Sequence, residues 1–132
     1  REASAPHLAP RRRGRLLVID DEEVVAMAIR RSLTREHDVV YTSTAQEALA
    51  LLRANEEFDV ILCDLMMPEM TGMELYAELM ASSPEPARRI IFWTGGAFTA
   101  QAREFLQEVP SVRIEKPFNV QQLRALINER IR

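Results

Sequence analysis

The sequence predicts an open α/β domain, a doubly wound five-stranded parallel sheet with helices on both faces. Three observations carry that reading. Apolar runs such as Val60-Ile61-Leu62-Cys63 and Ile90-Ile91-Phe92-Trp93 show no polar alternation, the pattern of strands buried on both faces. Between the runs lie segments whose apolar residues recur at helical spacing. The runs end on acidic, hydroxyl or cationic residues, at the strand ends where open parallel sheets hold their ligands.

Residues 1–14 combine Ala3, Ala5, Ala9, Pro6 and Pro10 with Arg11-Arg12-Arg13, a tether composition, and the domain is expected to span 15–132. A strand over 16–19 leads into Asp20-Asp21-Glu22-Glu23, which opens a helix to about residue 35 with Val25, Ile29 and Leu33 at i+4 spacing. Glu22 and Glu23 suit the positive end of that helix dipole; Asp20 and Asp21 sit earlier, at the strand end. A second strand covers 38–41. Ser43 and Thr44 each have an acceptor three residues on, Gln46 or Glu47, so a capping box fits either register of the next helix, which runs to about 54.

The third strand ends on Asp64 and gives way to the loop Met66-Met67-Pro68-Glu69-Met70. Thr71 with Glu74 caps a helix that stops before Ser82-Ser83-Pro84. The fourth strand, 89–94, ends in Thr94-Gly95-Gly96, and a helix over 99–108 is stopped by Val109-Pro110. The fifth strand, 112–115, ends at Lys116-Pro117. Asn119 then caps the last helix with Gln122 at its third position, Phe118 and Leu123 form a hydrophobic staple, and Leu123, Leu126, Ile127 and Ile131 give its core face. Short right-handed crossovers make 2-1-3-4-5 the expected strand order, with strands one and three adjacent at the switch point.

Composition bounds the function. The 132 residues are enough for one buried core and too few for two. A net charge of -3 favours neither nucleic acid nor a membrane as partner. No apolar run approaches spanning length and no signal peptide is present, so a cytoplasmic domain is expected. Cys63, the single cysteine, reads as a core residue of a reducing compartment. His7, in the tether, and His37, expected at the surface ahead of a strand, read as bystanders. The chain does not begin with methionine and reads as a domain cut from a longer protein.

Four strand ends carry chemistry: Asp20 and Asp21, Asp64, Thr94, and Lys116. Among 17 Lys+Arg residues Lys116 is the one lysine, a compact ammonium where every other cation is a guanidinium. In a parallel sheet these ends share one edge. Three carboxylates there repel one another unless cations relieve them. Lys116 is one such cation, and a hard divalent ion is the other. All-oxygen ligation suits Mg²⁺, and no His/Cys pair has zinc spacing. A carboxylate beside Mg²⁺ and a lysine is set to attack phosphorus as an aspartyl nucleophile. The structural alternative is a static salt-bridge cluster at the sheet edge.

Leu16-Leu17-Val18-Ile19-Asp20-Asp21-Glu22, Asp64 with Met67-Pro68 and Gly72, Thr94-Gly95 and Lys116-Pro117-Phe118 together resemble the receiver domain of two-component response regulators over roughly 15–131, a flavodoxin-like fold. The resemblance implies that Asp64 accepts a phosphoryl group from phosphohistidine on a histidine kinase or phosphotransfer domain. It implies Mg²⁺ bound by Asp21, Asp64 and the Met66 backbone carbonyl, with Asp20 acting through water. Lys116 would pair with the phosphoryl group, the Thr94 hydroxyl would move in to bond it, and the bond before Pro117 would be cis. The Gly95-Gly96-Ala97-Phe98 run resembles receivers at the end of hybrid sensor kinases.

Two departures stand out. Arg113 occupies the position three before the lysine, where receivers usually carry an aromatic switch residue. Met66 and Gly96, each two residues beyond a site residue, cannot orient a water through their side chains, which predicts slow loss of a phosphoryl group. A competing reading is a receiver-like docking module that does not turn over phosphate. A haloacid-dehalogenase-type phosphatase needs a second acid where Met66 stands and is set aside. Neither nucleic acid nor membrane is expected to contact this domain; a weak homodimer through the last two helices and the fifth strand is left open. The cognate kinase, stimulus and output are not written in the sequence.

Overall fold

Five strands pair side by side in the order β2-β1-β3-β4-β5, every pair parallel, as the spacing of apolar runs predicts. The computed structural model describes residues 12–95, 99–109, 113–115 and 119–131. Along the chain the elements are β1 (Gly14–Ile19), α1 (Glu23–Leu33), β2 (His37–Thr42), α2 (Ala45–Arg53), β3 (Val60–Asp64), α3 (Gly72–Ser82), α4 (Pro84–Ala87), β4 (Ile90–Thr94), α5 (Ala100–Glu108), β5 (Arg113–Glu115) and α6 (Val120–Arg130).

The pleat divides the core in two. Leu17, Ile19, Ile61, Cys63 and Phe92 pack with α2, α3 and α5 through Ala48, Leu52, Leu75, Leu79 and Ala102. Leu16, Val18, Leu62, Ile91 and Trp93 pack with Ala26, Ile29 and Leu33 of α1 and with Leu123 and Ile127 of α6. On the first face Tyr76, Phe92 and Phe105 meet edge to face, with centroids 5.2 to 6.1 Å apart. Both faces of every central strand are therefore dry, which is why the runs contain no polar alternation.

Local signals place the helix starts. Thr44, not Ser43, is the cap of α2: its hydroxyl accepts from the Glu47 N–H, while Glu47 reaches back to the Ser43 N–H. Thr71 and Glu74 form the reciprocal capping box of α3, and Asn119 accepts from the Gln122 N–H to open α6. Helix α3 runs one residue past the expected stop, to Ser82, and the chain then makes one further helical turn, α4. Pro84 sits at its first position, where a fixed φ and a missing N–H cost nothing. The staple through Phe118 lies outside the described residues, as do Gly96 and the Pro117 peptide bond.

His37 corrects the sequence reading. It is no surface residue but a fully buried member of β2. Its Nδ1 accepts from the Gly14 N–H at 3.0 Å, and its Nε2 lies 2.7 Å from Asn128 Oδ1. The backbone donor at Nδ1 assigns the ring proton to Nε2, so the imidazole ties β1 and β2 to α6. No periodicity marks such a contact, because its partners lie 23 and 91 residues away. The residues just ahead of β1 are fastened as well. Arg13 donates to the Asp38 carboxylate and to the carbonyls of Thr34 and His37, and Arg12 pairs with Asp59, which also accepts from the Arg15 N–H. Strand β1 takes in Gly14, which the sequence reading left to the tether.

Replacing His37 with phenylalanine keeps a ring but leaves the buried Gly14 N–H without its acceptor. A loss of about 1–3 kcal/mol is expected, read as a lower urea midpoint at unchanged m. The Asp59 carboxyl is held below its ordinary pKa, chiefly by the Arg12 hydrogen bond. Its stabilising contribution is present above the ordinary carboxylate range and lost as pH falls through the lowered value. Asp59→Asn is expected to remove that part of the acid-side slope of stability against pH.

Candidate functional site

Register brings the strand ends together. Ile19 pairs with Cys63 and Asp64 with Trp93, so the residues following β1 and ending β3 and β4 reach one rim. One carboxylate oxygen from each of Asp20, Asp21 and Asp64 lies within 4.8 Å of the others. Asp20 and Asp64 are buried, and Asp21 is exposed at the mouth. Thr94 is buried at the end of β4, one strand over. Lys116 lies outside the described residues.

The two buried acids, Asp20 and Asp64, accept from neutral donors. Asp20 Oδ1 accepts from the Glu22 N–H at 2.8 Å, and Oδ2 accepts from the indole N–H of Trp93 at 2.9 Å. The Tyr41 hydroxyl donates to the Asp20 carbonyl at 3.0 Å. Asp64 Oδ1 accepts from the Met66 N–H at 3.3 Å, and the Leu65 N–H continues the strand by donating to the Trp93 carbonyl. The Met66 side chain is exposed. The chain turns through Glu69, whose φ of 69° is left-handed, and re-enters beneath the site at Gly72. There the Gly72 N–H donates to the Leu65 carbonyl at 3.0 Å. A Cβ at this position would stand 2.6 Å from the Asp64 carbonyl oxygen, so only glycine fits.

The negative field of the rim registers on its neighbours. Burial, then the charges of Glu23, Asp20 and Asp21, pushes the Tyr41 phenol up. Burial first, then Asp64 and Asp20, pushes the Cys63 thiol far above its ordinary range. Cys63 is therefore an inert thiol, hydrogen-bonded to the Asp64 carbonyl.

Among the described residues the donor set is all carboxylate, hard and anionic. Such a set fits Mg²⁺, which keeps several waters and takes few protein ligands, better than zinc. Asp20, Asp21 and Asp64 thus meet where the sequence brings them. Trp93 and Tyr41 were missed as neighbours of the site, since a strand-core tryptophan and a short-strand tyrosine give no sign of where their polar tips point.

Comparison with known proteins now decides the family. The response regulator receiver domain family matches residues 16–128. The chain belongs to that family. This receiver domain is 32% identical over 117 residues to a chemotaxis protein CheY homolog of Campylobacter jejuni, covering 87% of this chain and 90% of that one. It is 32% identical over 116 residues to the sensor kinase CckA of Brucella abortus, covering 86% of this chain but 12% of the kinase. It spans 16% and 49% of two transcriptional regulatory proteins that it also matches. A solved receiver domain protein from Methanospirillum hungatei, described as CheY-like, superposes with a TM-score of 0.77 at 29% identity, over 90% of this chain and 94% of the other. The domain is thus a receiver of two-component signalling, and the five-stranded order is that of its relatives. Among the described residues no helix is long and apolar enough to cross a membrane.

Two outcomes follow from the geometry. Gly72→Ala is expected to displace the backbone behind Asp64, losing about 1–3 kcal/mol and moving the Asp64 and Leu65 amide resonances; a denaturant curve with an amide spectrum checks both. Cys63 is expected to resist alkylation at pH 8 in the folded protein and to react once unfolded in guanidinium, read by mass spectrometry. With its folded pKa raised, Cys63 favours folding fully below the ordinary thiol value, and that contribution is lost as pH climbs above it. Cys63→Val should flatten the alkaline limb of stability.

Proposed function

We propose that this receiver accepts a phosphoryl group on Asp64 from a phosphohistidine of a histidine kinase or phosphotransfer domain. The observation that carries the reading is the three-carboxylate rim, with the buried Asp64 at the end of β3 and Gly72 packed too close to its carbonyl to carry a side chain. A Mg²⁺ ion held by Asp21, Asp64 and the Met66 carbonyl, with Asp20 acting through water, would neutralise phosphoryl oxygens during transfer. An Asp64 oxygen attacks phosphorus, the P–N bond of the donor breaks, and its electron pair returns to the imidazole. Thr94 lies close along the rim to donate its hydroxyl to a phosphoryl oxygen, and Lys116 is the ammonium assigned to pair with another.

The added charge biases the loop after β4 and helix α5, and a partner reads that surface. Arg113 is exposed on β5, so the output surface presents a guanidinium where the receiver resemblance implies an aromatic ring. Exposure of Arg113 also suits the docking reading without phosphate turnover, and the same experiment separates the two. The similarity to 12% of a sensor kinase supports a place within a longer kinase chain; the Gly95-Gly96-Ala97-Phe98 run is the ground for placing it at the end of a hybrid kinase.

Incubation with a phosphorylated histidine kinase and Mg²⁺ is expected to label the wild type with a hydroxylamine-labile acyl phosphate and to leave Asp64→Asn unlabelled. Beryllofluoride with Mg²⁺ should change the emission of Trp93; silence in both assays would favour docking alone. Since Met66 cannot orient a water, Met66→Asn is expected to shorten the half-life of phospho-Asp64 several-fold. An unchanged half-life would show that this position does not control hydrolysis.

A further inference from the structure

Trp93 combines two properties that core packing alone does not require. It is the largest side chain buried on the α1/α6 face, 2% exposed among Leu16, Val18, Ala26 and Ile29, yet its one polar atom reaches the rim. There its Nε1–H donates to Asp20 Oδ2 at 2.9 Å. The other Asp20 oxygen is taken by the Glu22 N–H, and the Asp20 carbonyl by the Tyr41 hydroxyl. Asp20 thereby accepts from β2, from β4 and from the turn into α1, and its own N–H donates to the Thr42 carbonyl.

We propose that Trp93 is a positioning residue for the acidic rim, setting Asp20 in the orientation that Mg²⁺ requires. The inference rests on the reading of the rim as a Mg²⁺ site. Its physical basis is the charge of the donor. Three carboxylates within 4.8 Å need stabilising, but a cationic donor at Asp20 would repel the incoming metal. An indole N–H is neutral. It supports the ionised carboxylate, consumes one lone pair of Oδ2 from the sheet side, and adds no competing charge. A hydrogen-bond donor behind a carboxylate of a metal site fixes that carboxylate's orientation, whether it meets the ion directly or through water, and losing such a donor commonly weakens metal affinity by roughly ten-fold or more. Because Trp93 directly precedes Thr94 and pairs in register with Asp64, the indole also ties the rim to the strand that carries the switching hydroxyl.

The test is Mg²⁺ affinity, measured by calorimetry on wild type and Trp93→Phe, which keeps an apolar ring and loses the donor. Dissociation constants are read in the folded state, with melting temperatures recorded in chelator and in saturating Mg²⁺. An affinity weakened about ten-fold is expected. The gain in melting temperature on adding Mg²⁺ should shrink with it. A change of less than about three-fold, with only a lower melting temperature in chelator, would assign Trp93 to packing and overturn the proposal.

The wild type supplies an independent measurement, because the chain has one tryptophan and hence one indole N–H resonance. That resonance is expected to be protected from solvent exchange and to shift on Mg²⁺ addition with the calorimetric dissociation constant. An indole signal indifferent to Mg²⁺ would overturn the proposal even if Trp93→Phe failed to fold. Wild type that binds no Mg²⁺ at millimolar concentration overturns this inference and the metal reading together. Wild type and Trp93→Phe binding alike overturns this inference alone.

Discussion

Unit charges of one sign 4 Å apart repel by roughly 4 kcal/mol at the effective dielectric of a protein surface, so a fold that gathers Asp20, Asp21 and Asp64 must hold them against that force. The sheet does the gathering. Parallel pairing sends every strand end to one edge, and strands β1 and β3 are neighbours only because the chain reverses direction across the sheet at β1. Among the described residues the Glu22, Met66 and Trp93 N–H groups donate to the buried pair Asp20 and Asp64, steadying these carboxylates without adding positive charge. Tyr41 and Cys63, both pushed toward their protonated forms, register that field from two sides.

Rigidity behind the rim matters as much as charge. Asp64 ends a strand buried on both faces, and the chain returns beneath it at Gly72 with no space for a side chain. The β3–α3 loop is in this way clamped at both ends, by the Met66 N–H on the Asp64 carboxylate and by the capping box of Thr71 and Glu74. If Asp64 is the phosphoacceptor proposed above, it gains from such a mounting, since small misplacements are costly in transfer reactions. At the opposite end of the sheet His37 and the Arg12 and Arg13 pairs close the N-terminal edge against α6 and the β2 and β3 approaches. Function and fastening thus occupy opposite ends of the same strands.

Asp20 shows the limits of reading residues one at a time. An acid at the start of a helix has an adequate local explanation in the helix dipole, and Glu22 and Glu23 satisfy it. What sets Asp20 apart is burial beside an indole from a strand 73 residues away. Met66 makes the complementary point. Its side chain faces solvent, so its identity bears on what it cannot do for a water, while its backbone serves the site regardless of residue type.

The amino-acid order alone determined the strand count, their parallel order, the helix caps Thr71 and Asn119 and the three acids of the rim, because these follow from period, capping chemistry and the position of polar residues after apolar runs. Only the tertiary structure decided that Thr44 rather than Ser43 caps α2, that Pro84 starts another turn, that His37 is a buried tie and that Trp93 holds Asp20. The His37 and Trp93 contacts join distant elements, whereas the α2 cap and the Pro84 turn are local choices that the residue order left open. A residue's neighbours along the chain encode its local geometry, but which polar tip meets which buried carboxylate is fixed only when the helices have closed over the sheet.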